Sequence, residues 1–246
     1  MPDSASILVS RSNFDLPTSY LSSWLQPVLA YAAKLGYNVE DLYATDDTLQ
    51  NFMDSLASSD PQLVIIASHG NQNQVTCQNN ELLMQGCTND DLMKSRTAFL
   101  VACQTGIALG PSMFKKGASA YLGFTADFVF MVKPGYESRP LDDPHARPYF
   151  DTVNTIACAL LDGKSLREAY EAGIGRFDYW INKWWSVPDP SASEIIQWLR
   201  WDRDNFIIIT EGGLYETTVR SAVSIPQQLP LLLFLGLAFL WLTQKS

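Results

Sequence analysis

Leu63-Val64-Ile65-Ile66-Ala67-Ser68-His69-Gly70 and Ala98-Phe99-Leu100-Val101-Ala102-Cys103-Gln104-Thr105-Gly106 decide the fold class of this chain. Each begins as a continuous apolar run, the pattern of a strand buried on both faces, and each breaks into polar residues and glycine at its carboxyl end. If the two runs are parallel neighbours, His69 and Cys103 arrive at the same edge of one sheet, where open α/β folds build their sites. An imidazole and a thiol placed together there are the minimum equipment for a cysteine nucleophile.

The rest of the chain alternates strand and helix around these two runs. Ile7-Leu8-Val9 is a first strand, followed by Leu21, Trp24, Leu25, Val28, Ala32 and Leu35 at helical spacing up to Gly36. Pro27 is expected to kink or restart that helix. A strand over 37–43 and a short helix over 47–56 precede the histidine strand. Gln74 to Gln85 reads as a hairpin turning at Gln78-Asn79-Asn80, and Thr88 as the cap of a short helix carrying Asp90 and Asp91. Beyond the cysteine come a brief helix at Met113-Phe114, a strand over 118–124 and a polar, proline-rich loop from Lys133 to Pro148. A helix marked by Phe150, Val153, Ala157 and Leu160 follows. Ser165 with Glu168, and Ser191 with Glu194, each have capping-box spacing, and Phe206 to Ile209 is the last strand, closed by Gly212-Gly213. About six strands alternating with helices imply an α/β fold, a mostly parallel sheet with helices on both faces forming a three-layer sandwich.

Composition narrows the function classes. With 246 residues, 47 % of them hydrophobic, the chain can bury a large core, and a formal charge of −9 opposes nucleic-acid binding. The four cysteines form no CxxC pair and there are two histidines, so neither a metal nor another cofactor is implied. Cys77 and Cys87 flank the hairpin and are expected to be free. The polar start of the chain has no h-region, so the body is expected in the cytoplasm with reduced thiols. No glycine-rich phosphate loop follows the first strand, which weakens a nucleotide-binding reading.

The ordered set of motifs resembles the caspase-fold (clan CD) cysteine peptidases, most of all the bacterial CHAT peptidases. The histidine–glycine pair after a strand, Ala102-Cys103-Gln104-Thr105-Gly106 after the next, and Gly117-Ala118-Ser119-Ala120-Tyr121-Leu122-Gly123-Phe124 beyond carry the likeness, which spans 7–213. It implies a caspase-like sandwich and a cysteine endopeptidase that acts on protein substrates through a His69–Cys103 dyad, with roles in bacterial, including antiviral, defence or regulated cell death. Val101 stands where caspases carry a glutamine that helps bind a substrate aspartate, which argues against aspartate specificity.

The backbone amides of Gly70 and Cys103 are the natural donors to a tetrahedral oxyanion. Asp127, just past the strand after the nucleophile, is either a solvated loop acid or a pocket carboxylate that selects lysine or arginine before the scissile bond. Lys133 and Arg139 could instead make that pocket basic. His145 is expected to be a solvated loop residue.

Two segments stand outside this reading. Five of the seven tryptophans fall between Trp180 and Trp201, as internal packing, as the docking face of an activating protein partner, or as a belt at a membrane surface. A catalytically silent caspase-like module that binds a partner through this tryptophan-rich face is the alternative function. Leu229 to Leu242 is uncharged and almost wholly apolar. The domain is therefore expected to end near 213, with a linker over 214–228 and a tail over 229–246 that anchors a cytoplasmic catalytic body to a membrane or packs on a partner.

Overall fold

Residues at successive positions of the central strands go into different cores, as strand geometry demands of a sheet covered on both sides. Ile7 and Val9, Ile65 and Ala67, Phe99 and Val101, Leu122 and Phe124, and Phe206 and Ile208 join one apolar cluster. Leu8, Val64 and Ile66, Ala98 and Leu100, Tyr121, and Ile207 join the other. A computed structural model describes residues 5–216. In chain order its elements are β1 (Ser6–Arg11), α1 (Leu16–Lys34), β2 (Asn38–Tyr43), α2 (Leu49–Ser59), β3 (Leu63–Ala67), β4 (Gly70–Asn71), β5 (Gln74–Thr76), β6 (Leu82–Gln85) and β7 (Thr97–Val101). Then come α3 (Leu109–Lys115), β8 (Ala120–Phe124), α4 (Arg147–Leu161), α5 (Leu166–Trp184), α6 (Ala192–Asn205), β9 (Phe206–Thr210) and β10 (Gly213–Glu216).

The main sheet has seven strands in the order β10-β9-β8-β7-β3-β1-β2. Strands β2, β1, β3, β7 and β8 pair in parallel, while β9 and β10 run antiparallel at one side. Residues of α1, α4, α5 and α6 pack on one face, and those of α2, α3 and the hairpin on the other. The expected three-layer architecture and mostly parallel sheet are therefore present. From β1 the chain steps outward to β2 and then returns to β3 on the other side of β1. That reversal opens a crevice at the carboxyl ends of β1 and β3, the place where such sheets bind ligands.

The hairpin forms as β5 and β6, its turn carried by Asn79 and Asn80, both left-handed at φ +59° and +62°. Asparagine tolerates that region because its short polar side chain bonds locally. The two-residue β4, which pairs with β5 to make a second, three-stranded sheet, is too short to leave a period in the sequence.

Several local expectations are corrected. Helix α1 runs unbroken through Pro27, which lies on its exposed side while buried Trp24, Leu25 and Val28 hold the helix to the core. Thr88 caps nothing; a single 3-10 turn over Asp90–Met93 follows Asn89, with no side-chain cap. The Ser165–Glu168 capping box forms, but Ser191 makes no side-chain cap, and its N–H is instead taken by the Asp189 carboxylate at 2.8 Å.

His145 is buried rather than solvated. The loop that carries it is drawn onto the core by Asp143, whose carboxylate accepts from the Tyr20 hydroxyl and from the N–H groups of Lys133, His145 and Ala146. The His145 ring then bonds Asp189 at 3.1 Å and meets Trp184 edge-on.

Trp180 and Trp184 are core residues, which favours internal packing for that part of the cluster, whereas Trp185 is 64 % exposed. Strand β10 carries the sheet past 213 into residues assigned to the linker. The rest of that linker and the apolar tail lie outside the described residues. Among the described residues no helix is long and apolar enough to cross a membrane.

Gly106 shows how the turn after β7 is fitted to β8. Its N–H donates to the Phe124 carbonyl at 2.8 Å, and a Cβ on Gly106 would sit 2.9 Å from that same oxygen. Neither backbone can move without breaking the bond. Gly106→Ala is expected to lower stability by about 1–3 kcal/mol, the usual range for overpacking, as measured by urea unfolding of the purified protein. An unchanged midpoint would show that the turn relaxes freely.

Candidate active site

The parallel register of β3 and β7 pairs Ile65 with Phe99 and Ala67 with Val101. Two residues beyond the paired ends of these strands come His69 and Cys103, so both follow neighbouring strands at the same edge of the sheet. The approach is close. A Cβ on Gly70 would lie 3.0 Å from the Ala102 Cβ and 3.1 Å from the Cys103 carbonyl oxygen. A side chain at Gly70 would need these neighbours to give by a few tenths of an ångström, so glycine lets the segment after His69 run close against the Cys103 turn.

Segment 12–15, leaving β1 in the same crevice, positions the imidazole. Asp15 caps α1: its Oδ1 accepts from the Thr18 N–H at 2.9 Å and from the Thr18 hydroxyl at 2.7 Å. Its other oxygen, Oδ2, is 2.7 Å from His69 Nε2. Burial raises the Asp15 carboxyl, but the bonds from His69 and Thr18 outweigh it, and the net direction is down. Asp15 is thus an acceptor, Nε2 carries the proton it receives, and Nδ1 is the ring nitrogen left for chemistry. Phe14 supports the ring edge-on, with centroids 5.7 Å apart.

Asp15 was missed in the sequence. Asp15-Leu16-Pro17-Thr18 carries a visible cap signal, an N-cap residue with proline in the first turn, but nothing local says that the carboxylate has a second partner.

Cys103 sits in a sharp turn. Gln104 is left-handed at φ +58°, a strained conformation for a residue with a Cβ. It is held there by its N–H on the Ala126 carbonyl at 2.9 Å and its Nε2 on Asp127 Oδ1 at 2.9 Å. Thr105, buried behind it, bonds the Tyr121 hydroxyl at 2.8 Å.

The segment after β8 closes on Cys103. Burial first, and then the charge of Asp127, push the Cys103 thiol up to about 12; a Phe128 N–H directed at the sulfur pulls the other way. Asp127 is exposed beside that thiol. Helix α6 fixes this segment from behind: the Trp201 indole N–H donates to the Asp127 carbonyl at 2.9 Å, and Asp202 accepts from the Val129 N–H at 3.0 Å. Asp202 is fully buried and raised well above the usual carboxylate range by that burial, and its Oδ2 has no hydrogen-bond partner among the described residues.

Among the described residues the two expected oxyanion donors are both free of backbone partners on the sides that can be read from the ladder. Thr76 donates its N–H to the His69 carbonyl at 3.0 Å, so by ladder alternation the N–H of Gly70 turns away from β5. The Cys103 N–H takes no backbone acceptor among the described residues.

Of the cations that could make a substrate pocket basic, each has a local partner. Lys133 Nζ lies 3.9 Å from Asp189, and Arg139 stacks on Tyr136. All four cysteines are free, Cys87 exposed and Cys77 buried, and among the described residues no group of three or more His, Cys, Asp or Glu is placed to hold a metal ion.

No family model matches the chain, and no curated protein matches it. Among solved structures it is similar to the Arg-specific cysteine proteinase gingipain R, at 12 % identity and a TM-score of 0.47, over 70 % of this chain and 42 % of that one. It is likewise similar to the complex of Porphyromonas gingivalis RgpB pro- and mature domains, at 12 % identity and a TM-score of 0.46, over 70 % of this chain and 43 % of that one. The aligned region thus spans less than half the length of either neighbour.

A thiol raised this far is neutral at pH 7, and thiolate appears only as pH climbs toward the raised value. Iodoacetamide is therefore expected to label Cys103 at least about tenfold more slowly than the exposed Cys87 at pH 8, with the rate still rising above pH 9. Asp127→Asn, which removes the like charge, should speed labelling at neutral pH. Site-resolved mass spectrometry measures both rates; equal labelling of the two cysteines at pH 7 would contradict the burial argument.

Proposed function

We propose that this protein is a cysteine peptidase of caspase-like fold, with Cys103 as nucleophile and His69 as general base and acid. One observation carries the reading: β3–β7 register brings the two residues to adjacent strand ends with a carboxylate bonded behind the imidazole. A histidine in a merely structural turn does not need an oriented ring with one nitrogen left over. A neutral resting thiol fits a mechanism in which activation waits for substrate.

In this scheme the substrate carbonyl settles against the N–H groups of Gly70 and Cys103. His69 Nδ1 takes the thiol proton as sulfur attacks the carbonyl carbon, and Asp15 stabilises the imidazolium that forms. The tetrahedral oxyanion draws on the two backbone donors, each worth about 2.7–4 kcal/mol in measured systems. Collapse breaks the C–N bond, and the Nδ1 proton leaves with the amine. Water, deprotonated by the same nitrogen, then attacks the thioester, releasing the acid product and returning the proton to sulfur.

Asp127 supplies the specificity reading. An exposed carboxylate beside the nucleophile, its orientation set by Gln104, supports a preference for lysine or arginine before the cut. The tryptophan-rich face gives the silent-module alternative less support, because Trp180 and Trp184 are spent inside the core.

Cleavage profiling on a peptide library, with Cys103→Ala, His69→Ala, Asp15→Asn and Asp127→Asn alongside, tests the whole reading. Cys103→Ala is expected to abolish hydrolysis, His69→Ala to lower it by roughly 10²–10⁴-fold, and Asp15→Asn to lower kcat by about 10²-fold or more. Comparable hydrolysis by purified Cys103→Ala protein would end the peptidase assignment. Asp127→Asn should weaken the preference for basic residues by about tenfold while sparing hydrolysis itself. A profile dominated by aspartate before the cut would remove Asp127 from the pocket.

A further inference from the structure

Behind His69 the strand ends carry a run of buried and half-buried hydroxyls that the scheme above does not use. Ser10 and Ser12, at the end of β1, donate to the two oxygens of Asp47 at 2.6 and 2.7 Å, and all three residues are fully buried. The Ser12 Oγ lies 2.8 Å from the Ser68 Oγ, and the Ser68 Oγ lies 3.2 Å from the Thr76 Oγ1. Thr76 then closes on the histidine: its N–H and its hydroxyl reach the His69 carbonyl at 3.0 and 3.1 Å.

Proton counting orders this chain. Burial raises the Asp47 carboxyl on balance, and the two serine bonds pull the other way. Both serine hydroxyls donate to the Asp47 oxygens, so Ser12 spends its one proton there. Ser68 must then donate to Ser12, which leaves the Thr76 proton shared between the Ser68 oxygen and the His69 carbonyl. The order runs outward from Asp47 and ends on the backbone of the residue that would move protons. A second tie meets the first: Gln78 gives its N–H to the Asp47 carbonyl at 3.1 Å, and its side chain bonds both the N–H and the carbonyl of Asn13. Asn13 is followed by Phe14 and Asp15, the two side chains that hold the imidazole.

We infer that Asp47, Ser12, Ser68 and Thr76 are positioning residues that fix the backbone of His69, and through it the approach of the imidazole to Cys103. The inference rests on the assignment of His69 as the catalytic acid–base. Apolar side chains of the same size would fill the same space, so the hydroxyls add direction rather than volume. A catalytic group misplaced by a fraction of an ångström loses rate, not substrate affinity.

The test separates direction from bulk. Thr76→Val keeps the shape and removes the hydroxyl; Thr76→Ser keeps the hydroxyl and removes the methyl group. Thr76→Val is expected to lower kcat by about tenfold with KM within about twofold, and Thr76→Ser to retain the wild-type kcat. Ser68→Ala should behave like Thr76→Val, and the double variant should be no slower than the slower single one, because both interrupt one chain. A role in stability alone would leave kcat unchanged or hurt the serine variant as much as the valine one, and either result overturns the inference.

A readout independent of activity is the ring resonance of His69, one of two histidines in the chain, recorded in a Cys103→Ala background. Thr76→Val should shift it and leave His145 in place. If the wild-type protein shows no Cys103-dependent hydrolysis, the peptidase reading fails and the ring resonance alone decides positioning: a shift supports it, and an unmoved resonance overturns it.

Discussion

The parallel pairing of β3 with β7 is the constraint on which the rest of the site depends. Both strands are apolar on both faces, so a slip of one residue in register would exchange their side chains between two differently filled cores. Ile65 and Phe99 belong with the aromatic helices of one layer; Val64 and Leu100 belong with α2, α3 and the hairpin of the other. Register is therefore fixed by burial well below the site, and it dictates which residues emerge side by side at the carboxyl edge. The geometry of His69 and Cys103 is inherited from hydrophobic packing several residues away.

Above that edge the work passes to polar contacts, and each fastens a different strand end. The β1 exit brings Asp15 and Phe14 to the ring. The β8 exit lies over the thiol, held by Trp201 and Asp202 of α6. The turn at Gln104 stores backbone strain and is kept in place by bonds to Ala126 and Asp127. Strain of this kind, of order 1–3 kcal/mol, persists only where surrounding contacts over-determine it. Here those contacts come from the very segment that lies beside Cys103.

What was legible in the sequence follows from the range of each signal. The six longer strands, the hairpin turn at Asn79-Asn80 and the Ser165 cap rest on periods and local chemistry, and each appears where its residues foretold. His69, Gly70 and Cys103 could be placed because the ends of buried strands are visible as breaks in apolar runs. Asp15 could not, since its second hydrogen bond crosses 54 positions to His69. His145 was misjudged for the same reason: a polar, proline-rich loop reads as solvated until Asp143 is seen gathering its backbone N–H groups onto Tyr20. Ser191 had the spacing of a capping box, and the Asp189 carboxylate took the bond instead. Long-range polar pairing leaves no period, so it is the layer of information that only the folded chain displays.

The neutral state of Cys103 carries a further chemical meaning. Peroxide attacks thiolates far faster than thiols, and the first product, a sulfenic acid, leads on to forms that cannot be reversed. A thiol pushed up by burial and by the charge of Asp127 offers almost no thiolate to such oxidants at neutral pH. The packing that keeps this thiol unreactive thereby also preserves the sulfur, trading reactivity for chemical endurance.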